Sequence, residues 1–463
     1  MGPKIGHTEG RGLLMSAEAQ RITEWYRSQY EAFEKGLNGD AGGTVHDLRR
    51  KGIERFTAVG FPTTRDEEWR FTNTAPLARV NFAVADRTSV QRVTRDDIAP
   101  YVLAGNTIRR AVVINGQFVP QLSSLDGLPA SVTVSSLAEA LRKHNPVALA
   151  HLGRLASIDQ NPFAALQSAF LLDGLFVHVA AGSVVDDPLH ILILATKEAD
   201  PQAIHPRLLI VAGDRTRLSL VETYAGVQHA RYFTNVVSET TVGEESTLYH
   251  DLVQVENPEA FHVGSRYITQ GRASTVVSNA LTLGGGWVRN TVQTKFTGEG
   301  GECTLNGLSL ASGEQLVDNH TVIDHAVPRC ASHELYKSIL DGKARGVFNG
   351  KIFVRRDAQK TDARQTNKTL LLSDDATIDT KPQLEIFADD VKCTHGATVG
   401  QLDEDQVFYL RARGIDLQTA RDILTFAFAG DVVDRIRIPA LRATLDSLLR
   451  ARLRQGRIAP ALP

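Results

Sequence analysis

From Leu175 onward the chain is a succession of short, β-branched, mostly alternating segments, each closed by Gly, Asn or Asp. LFVHVAAG, PLHILILAT, RLLIVAG, RLSLVETYAG, STLYHDLVQVEN, FHVGSRYITQG, STVVSNALTLGGG and VRNTVQTKFTGEG lead the series. CTLNGLSLASG, QLVDNHTVIDH, ARGVFNGKIFVRR, TNKTLLLSDDA, PQLEIFADD and VKCTHGATVG continue it, with almost no helical segment between them. Period-two alternation bounded by turn residues is the pattern of strands. So many strands on short connections must deal with their exposed edges by closing, stacking or coiling. Parallel coils need only a bend between strands, so a β-helix is favoured over a sandwich, although the segments keep no fixed short repeat.

The flanks read as helix. SAEAQRITEWYRSQYEAFEKGL sets Ile22, Trp25, Tyr26, Tyr30 and Phe33 at three- and four-residue spacing, with Ser16 as N-cap and Gly36 near the stop. RDEEWRFTNTAPL is a charged segment ending at Pro76. RRAVVINGQFVP carries Asn115-Gly116 between alternating apolar residues, a hairpin signal. SLAEALRKH and NPFAALQSAFLLDG return to helical spacing, with Asn161 capping and Pro162 at the first helical position. Asp403 opens a helical tail: DEDQVFYLRARG closes on Gly414, and two further helical segments follow. The middle one carries Ile423, Leu424, Phe426, Phe428 and Val432, more apolar surface than one core stripe needs. Such a helix is either wedged between the β core and its neighbours or a docking surface for another protein. The domain division expected is 1–170 mostly helical, 171–402 β core and 403–463 helical.

A chain of 463 residues exceeds what one core usually supports, so two or three subdomains are expected. Its formal charge of -2 gives no basic surplus for nucleic acid or an acidic membrane surface. No apolar run of about 18 residues occurs and MGPKIGHTEGRGLLMS lacks a secretory pattern, so a cytoplasmic location is expected. Three cysteines, Cys303, Cys330 and Cys393, are too few for a disulfide framework. They also fall short of the four thiolates that usually hold an iron-sulfur cluster.

Several constellations could carry chemistry. His320, His325, Cys330 and His333 crowd together in sequence, but their spacing is not that of a zinc site, and 320 and 325 fall on opposite sides of a regular strand. Asp318, Asp324 and His325 could suggest acid-base work, yet no G-x-S-x-G elbow supplies a nucleophile. GGGWVRN is not followed by a helical pattern, and no G-x-x-x-x-G-K-[ST] is present, so the chain should not hydrolyse ATP by itself. In VKCTHGATVG, Cys393 and His395 share one side of a strand, about 6 to 7 Å apart. That is long for a nucleophile with its base, but a metal or sulfur species above the strand could touch both. Lys392 and a protonated His395 would favour the thiolate. A packed pair is the alternative.

The stretch KIFVRRDAQKTDARQTNKTLLLSDDATIDTKPQLEIFADDVKCTHGATVGQLDEDQVFYLRARGI resembles the signature region of the SufB/SufD family of iron-sulfur cluster assembly proteins. HTVIDHAVPRCASHELYKSILDGKARGVFNG and DEEWRFTNTAPL look like that family too. Within it, ADDVKCTHGATVG and TKPQLEIFADD match the SufD form. The SufB form has a cysteine shortly after N-K-T, where this chain reads Asn367-Lys368-Thr369-Leu370-Leu371, and a Glu after the His, where this chain has Gly396.

The resemblance implies a mainly β fold, a right-handed parallel β-helix between N-terminal and C-terminal helical regions. It implies a non-catalytic scaffold that pairs with a SufB-like subunit and docks a SufC-like ABC ATPase on its C-terminal helices. His395 would be a cluster or iron ligand and Cys393 an auxiliary thiol, both at the heterodimer interface where a transient iron-sulfur cluster is built. Reduced flavin is implied at the level of the complex, though the chain carries no flavin fingerprint. In isolation a long edge strand would pair with its own copy as a homodimer. The alternative expectation is a stand-alone β-helix hydrolase or lyase using Asp324, His325 and His333.

Overall fold

The alternating segments coil. Along one face lie Tyr232–Val242, Phe261–Gln270, Trp287–Phe296, Leu316–His325, Arg345–Val354 and Thr377–Ile386. Along the other lie Arg217–Gly226, Thr247–Gln254, Thr275–Thr282, Glu302–Ala311, Ala331–Leu340, Asp362–Leu371 and Lys392–Gly400. The chain alternates between faces, and each strand pairs in parallel with the strand one turn earlier. The result is a parallel β-solenoid of about seven turns, with roughly thirty residues per turn. The computed structural model of the chain describes residues 17–37, 44–85, 88, 90, 92–105, 107–196, 201–226, 230–454 and 457–458.

The bends explain why coils stack so closely. Gly243 runs against the preceding bend, where an added Cβ would meet the Asp214 backbone nitrogen at 2.6 Å. Arg215, Glu245 and Ala273 occupy the left-handed region in successive bends, with φ of 54°, 56° and 51°. The hydroxyl of Ser246 donates to Gly213 O at 2.7 Å, fixing one bend on the next.

Alternation then sorts the side chains. Those pointing inward fill the solenoid with Val236, Leu248, Ile268, Val276, Val292, Leu305 and Phe348 among others. Those pointing outward meet helices. Helices α1 (Ala17–Gly36), α2 (Thr44–Val59) and α3 (Pro162–Ala169) bring Tyr26, Phe56, Phe163 and Phe170 against Phe233, Val263 and Trp287 of the first face. After α4 (Glu404–Arg411), α5 (Leu417–Val433) and α6 (Pro439–Arg452) bring Val432, Leu441, Leu445 and Leu449 against Val221, Leu281, Leu308 and Ile339 of the second. The mainly β expectation, with a solenoid flanked by helices at both ends of the chain, is met.

The local signals hold where they can be examined. Asn161 accepts from Phe163 N and Ala164 N at the start of α3, and Asp403 caps α4. Asn115 and Gly116 take φ of 48° and 84° in the tight hairpin after Arg109–Ile114. Ser16 lies outside the described residues.

Two buried ion pairs fasten the N-terminal layer. Arg207 pairs with Glu239, whose carboxylate also accepts from the backbone N–H groups of Gly153, Leu155 and Ala156 at 2.8, 2.7 and 3.0 Å. Arg289 pairs with Asp318 at 2.7 Å while its guanidinium lies 3.9 Å over the Trp69 ring of the DEEWR segment. Among the described residues no helix is long and apolar enough to cross a membrane.

Candidate functional site

Inward-facing residues of successive coils stack in columns. One column runs Leu305, Glu334, Gln365, His395, and its neighbour Cys303, Ser332, Ala363, Cys393. Every member below the last coil is buried. His395 is exposed because, among the described residues, no strand lies beyond Lys392–Gly400 to cover it. The other face ends in the same way at Thr377–Ile386, so the solenoid finishes in two unpaired strand edges. Apolar side chains sit beside them: Ile386, Phe387 and Val399 are 38%, 59% and 47% exposed.

Cys393 and His395 lie on the side expected of them, on one strand and two residues apart. Their state differs from the expectation for the thiol. Cys393 is half-buried against Ile352, Val354 and Ala363, and that burial, together with the nearby Asp362 carboxylate, raises its pKa. Lys392 precedes it on the strand and so points to the opposite side, away from the sulfur. A resting thiolate is therefore not what this end presents. Cys303 and Cys330 are buried too, and burial pushes Cys303 up to about 12.

Two residues that sequence reasoning passed over stand beneath His395. Gln365 Nε2 donates to Glu334 Oε2 at 2.7 Å, and both side chains are enclosed in the solenoid. Burial pushes the Glu334 carboxyl up to about 7. Its signal in ASHELYKSIL is a charged residue on the inward set of a strand, but that set is known only once the coils are aligned.

The remaining histidine cluster does not converge. His320 faces outward and contacts Asp318 at 3.0 Å and Glu68 at 3.5 Å, and that partner holds Glu68 down to about 2. His325 points inward to Ser332 Oγ at 2.9 Å, with its ring 4.8 Å from that of Phe296. Cys330 is buried in a bend near Gly298 O, and His333 is exposed on the other face. Asp324 is held by Arg355, with Arg355 Nη2 donating at 2.7 Å. Asp324, His325 and His333 thus form no common hydrolytic site. Among the described residues no three His, Cys, Asp or Glu side chains gather as a metal site.

Helix α5 is wedged against the solenoid on one side and leaves apolar residues exposed on another. Val432 is buried on the solenoid and Phe426 and Phe428 pack partly against it, while Ile423 stays 42% exposed. Leu417 at 41%, and Phe408 and Tyr409 of α4 at 72% and 56%, extend the exposed apolar row.

Residues 193–428 match the family model described as the SUF system FeS cluster assembly SufBD core domain, and residues 20–191 match the SufBD protein N-terminal region. The chain is 32% identical over 424 residues to an iron-sulfur cluster assembly SufBD family protein of Synechocystis, covering 90% of this chain and 93% of that protein. It is 30% identical over 408 residues to the iron-sulfur cluster assembly protein SufD of Escherichia coli, covering 87% and 92%. It is 28% identical over 449 residues to the chloroplastic protein ABCI7 of Arabidopsis thaliana, covering 92% and 90%.

Proposed function

The chain belongs to the SufBD family of iron-sulfur cluster assembly proteins, and from that membership we propose that it is a SufD-like scaffold subunit, without catalytic turnover of its own. Its cargo is a nascent iron-sulfur cluster. His395 acts as a ligand to that cluster or its iron, with Cys393 as an auxiliary thiol. A SufB-like subunit supplies the remaining donors across the free strand edges.

The observation that carries this reading is the exposed His395 on the terminal strand, in a column whose lower members are all covered. Two donors on one edge make half a site, and a second chain has to complete it. The position after Asn367-Lys368-Thr369 is Leu370, 5% exposed and packed toward the C-terminal helices, so no further donor comes from there. The exposed apolar row on α4 and α5 is suited to a SufC-like ABC ATPase, whose hydrolysis would open the interface through these helices. Reduced flavin would act on the assembled complex in a reducing cytoplasm.

The test is co-expression with the SufB-like and SufC-like partners, anaerobic purification and an absorption spectrum. His395→Ala is expected to remove the cluster absorption while the three proteins still co-purify. Normal cluster yield in that variant sinks the assignment.

A further inference from the structure

At the opposite end of the solenoid from His395, the strand Arg109–Ile114 lies beside Leu189–Ala195, with Arg110 in register with His190. A recess of about 390 Å³ opens there, lined by Ile108, Arg109, Arg110, Ser124 and His190 and walled by the loop over Val102–Gly105. Its lining is mostly polar and cationic. Arg109 is tied to Asp187 at 3.3 Å, but among the described residues no carboxylate is in ion-pair contact with Arg110. The charge near Arg110 is instead a like one: burial and then the Arg95 guanidinium lower its pKa.

Two nitrogens of residues lining this recess are buried and unbonded. Arg110 Nε has no hydrogen-bond partner, and neither has His190 Nδ1. The His190 side chain is wholly enclosed, and its Nε2 lies 2.9 Å from Thr223 Oγ1. Buried donors without acceptors are costly, and a partly buried guanidinium facing another guanidinium adds to that cost. An anion in the recess offsets that like charge and can meet the Arg110 guanidinium with several acceptor oxygens.

We propose that this recess binds a small phosphate-bearing anion, gripped by the Arg110 guanidinium, with Arg109 and Ser124 at its rim. The volume exceeds that of a bare tetrahedral anion, so there is room for a small group esterified to the phosphate. This site is independent of the cluster-scaffold reading and would survive its failure.

Calorimetric titration of the full-length protein in low-salt buffer tests it, with inorganic phosphate in one arm and glycerol phosphate in the other. Chloride at matched ionic strength is the control. Both phosphates are expected to bind, the ester more tightly, and Arg110→Gln is expected to weaken both by about tenfold or more. Arg95→Gln, which removes charge without a hydrogen bond to the ligand, should weaken them by about threefold or less. Should Arg110→Gln unfold, Arg110→Lys keeps the charge but loses the planar fork, and is expected to weaken both anions by several-fold. The proposal is overturned if neither phosphate binds, if chloride matches them, or if the folded Arg110 variant binds as the parent does.

Discussion

Glu334 carries a carboxyl group into the solenoid with Gln365 as its hydrogen-bonding partner. Its pKa lies at about 7 against an ordinary value of 4.5, so the folded state holds the proton longer than the unfolded one. The sign follows: the group costs nothing below the ordinary value, withdraws stability as pH rises toward about 7, and the loss is complete above that. The full loss is up to about 3 kcal/mol. Glu334→Gln should therefore leave the urea midpoint nearly unchanged at pH 5 and raise it at pH 8. An equal shift at both pH values would show that burial does not control this carboxyl. The placement of side chains at this end was legible in part. Cys393 and His395 stood out because two soft donors sit on one side of a strand. The thiol's protonation was misread because Asp362, thirty-one positions upstream in sequence, becomes its neighbour only when one coil lies on the next.

At the scale of elements, strands and helices could be read from alternation and caps, but the coil length was hidden. The bends do repeat: AGDRT at 212–216, VGEES at 242–246 and QGRAS at 270–274 share a Gly and a hydroxyl three residues later. Their spacing drifts, from thirty residues to twenty-eight, while the strands keep an unbroken parallel register, and a drifting period is hard to see in one sequence. The terminal strand gives a prediction of its own. Val399→Lys places a charge on the free edge, where natural sheets use lysine to block pairing. The isolated chain, expected to sediment as a homodimer through this edge, should become monomeric; a persistent dimer would put the contact elsewhere. The helical row is separable from it. Phe408→Asp with Ile423→Asp should abolish co-purification of the SufC-like ATPase and shift stability by less than about 0.5 kcal/mol, since both side chains are already exposed. Retained co-purification would move the docking surface off this row.

The whole molecule is a layered body in which the solenoid separates two sets of helices, and its N-terminal layer is held by an aromatic cluster and two buried ion pairs. Glu239→Ala would leave Arg207 buried without its counter-charge and free three backbone N–H groups. A loss of about 3–5 kcal/mol is expected. Proteolysis should then cut first around residues 150–160, whose backbone Glu239 holds. Unchanged cleavage in that stretch would mean that the aromatic cluster alone retains the layer. None of this coupling shows in the sequence, where Glu239 is one polar residue in an alternating strand and its three donors lie more than eighty positions earlier.

A stack of hydrogen-bonded coils has a built-in ruler. Were a second polypeptide to continue the ladder from Lys392–Gly400, its nearest backbone would fall about 4.8 Å away, a distance set by amide geometry rather than by any ion. Ligand atoms contributed from the two sides would then be spaced before iron or sulfide arrives, and prying the seam apart by even a few ångströms would dismantle the coordination all at once.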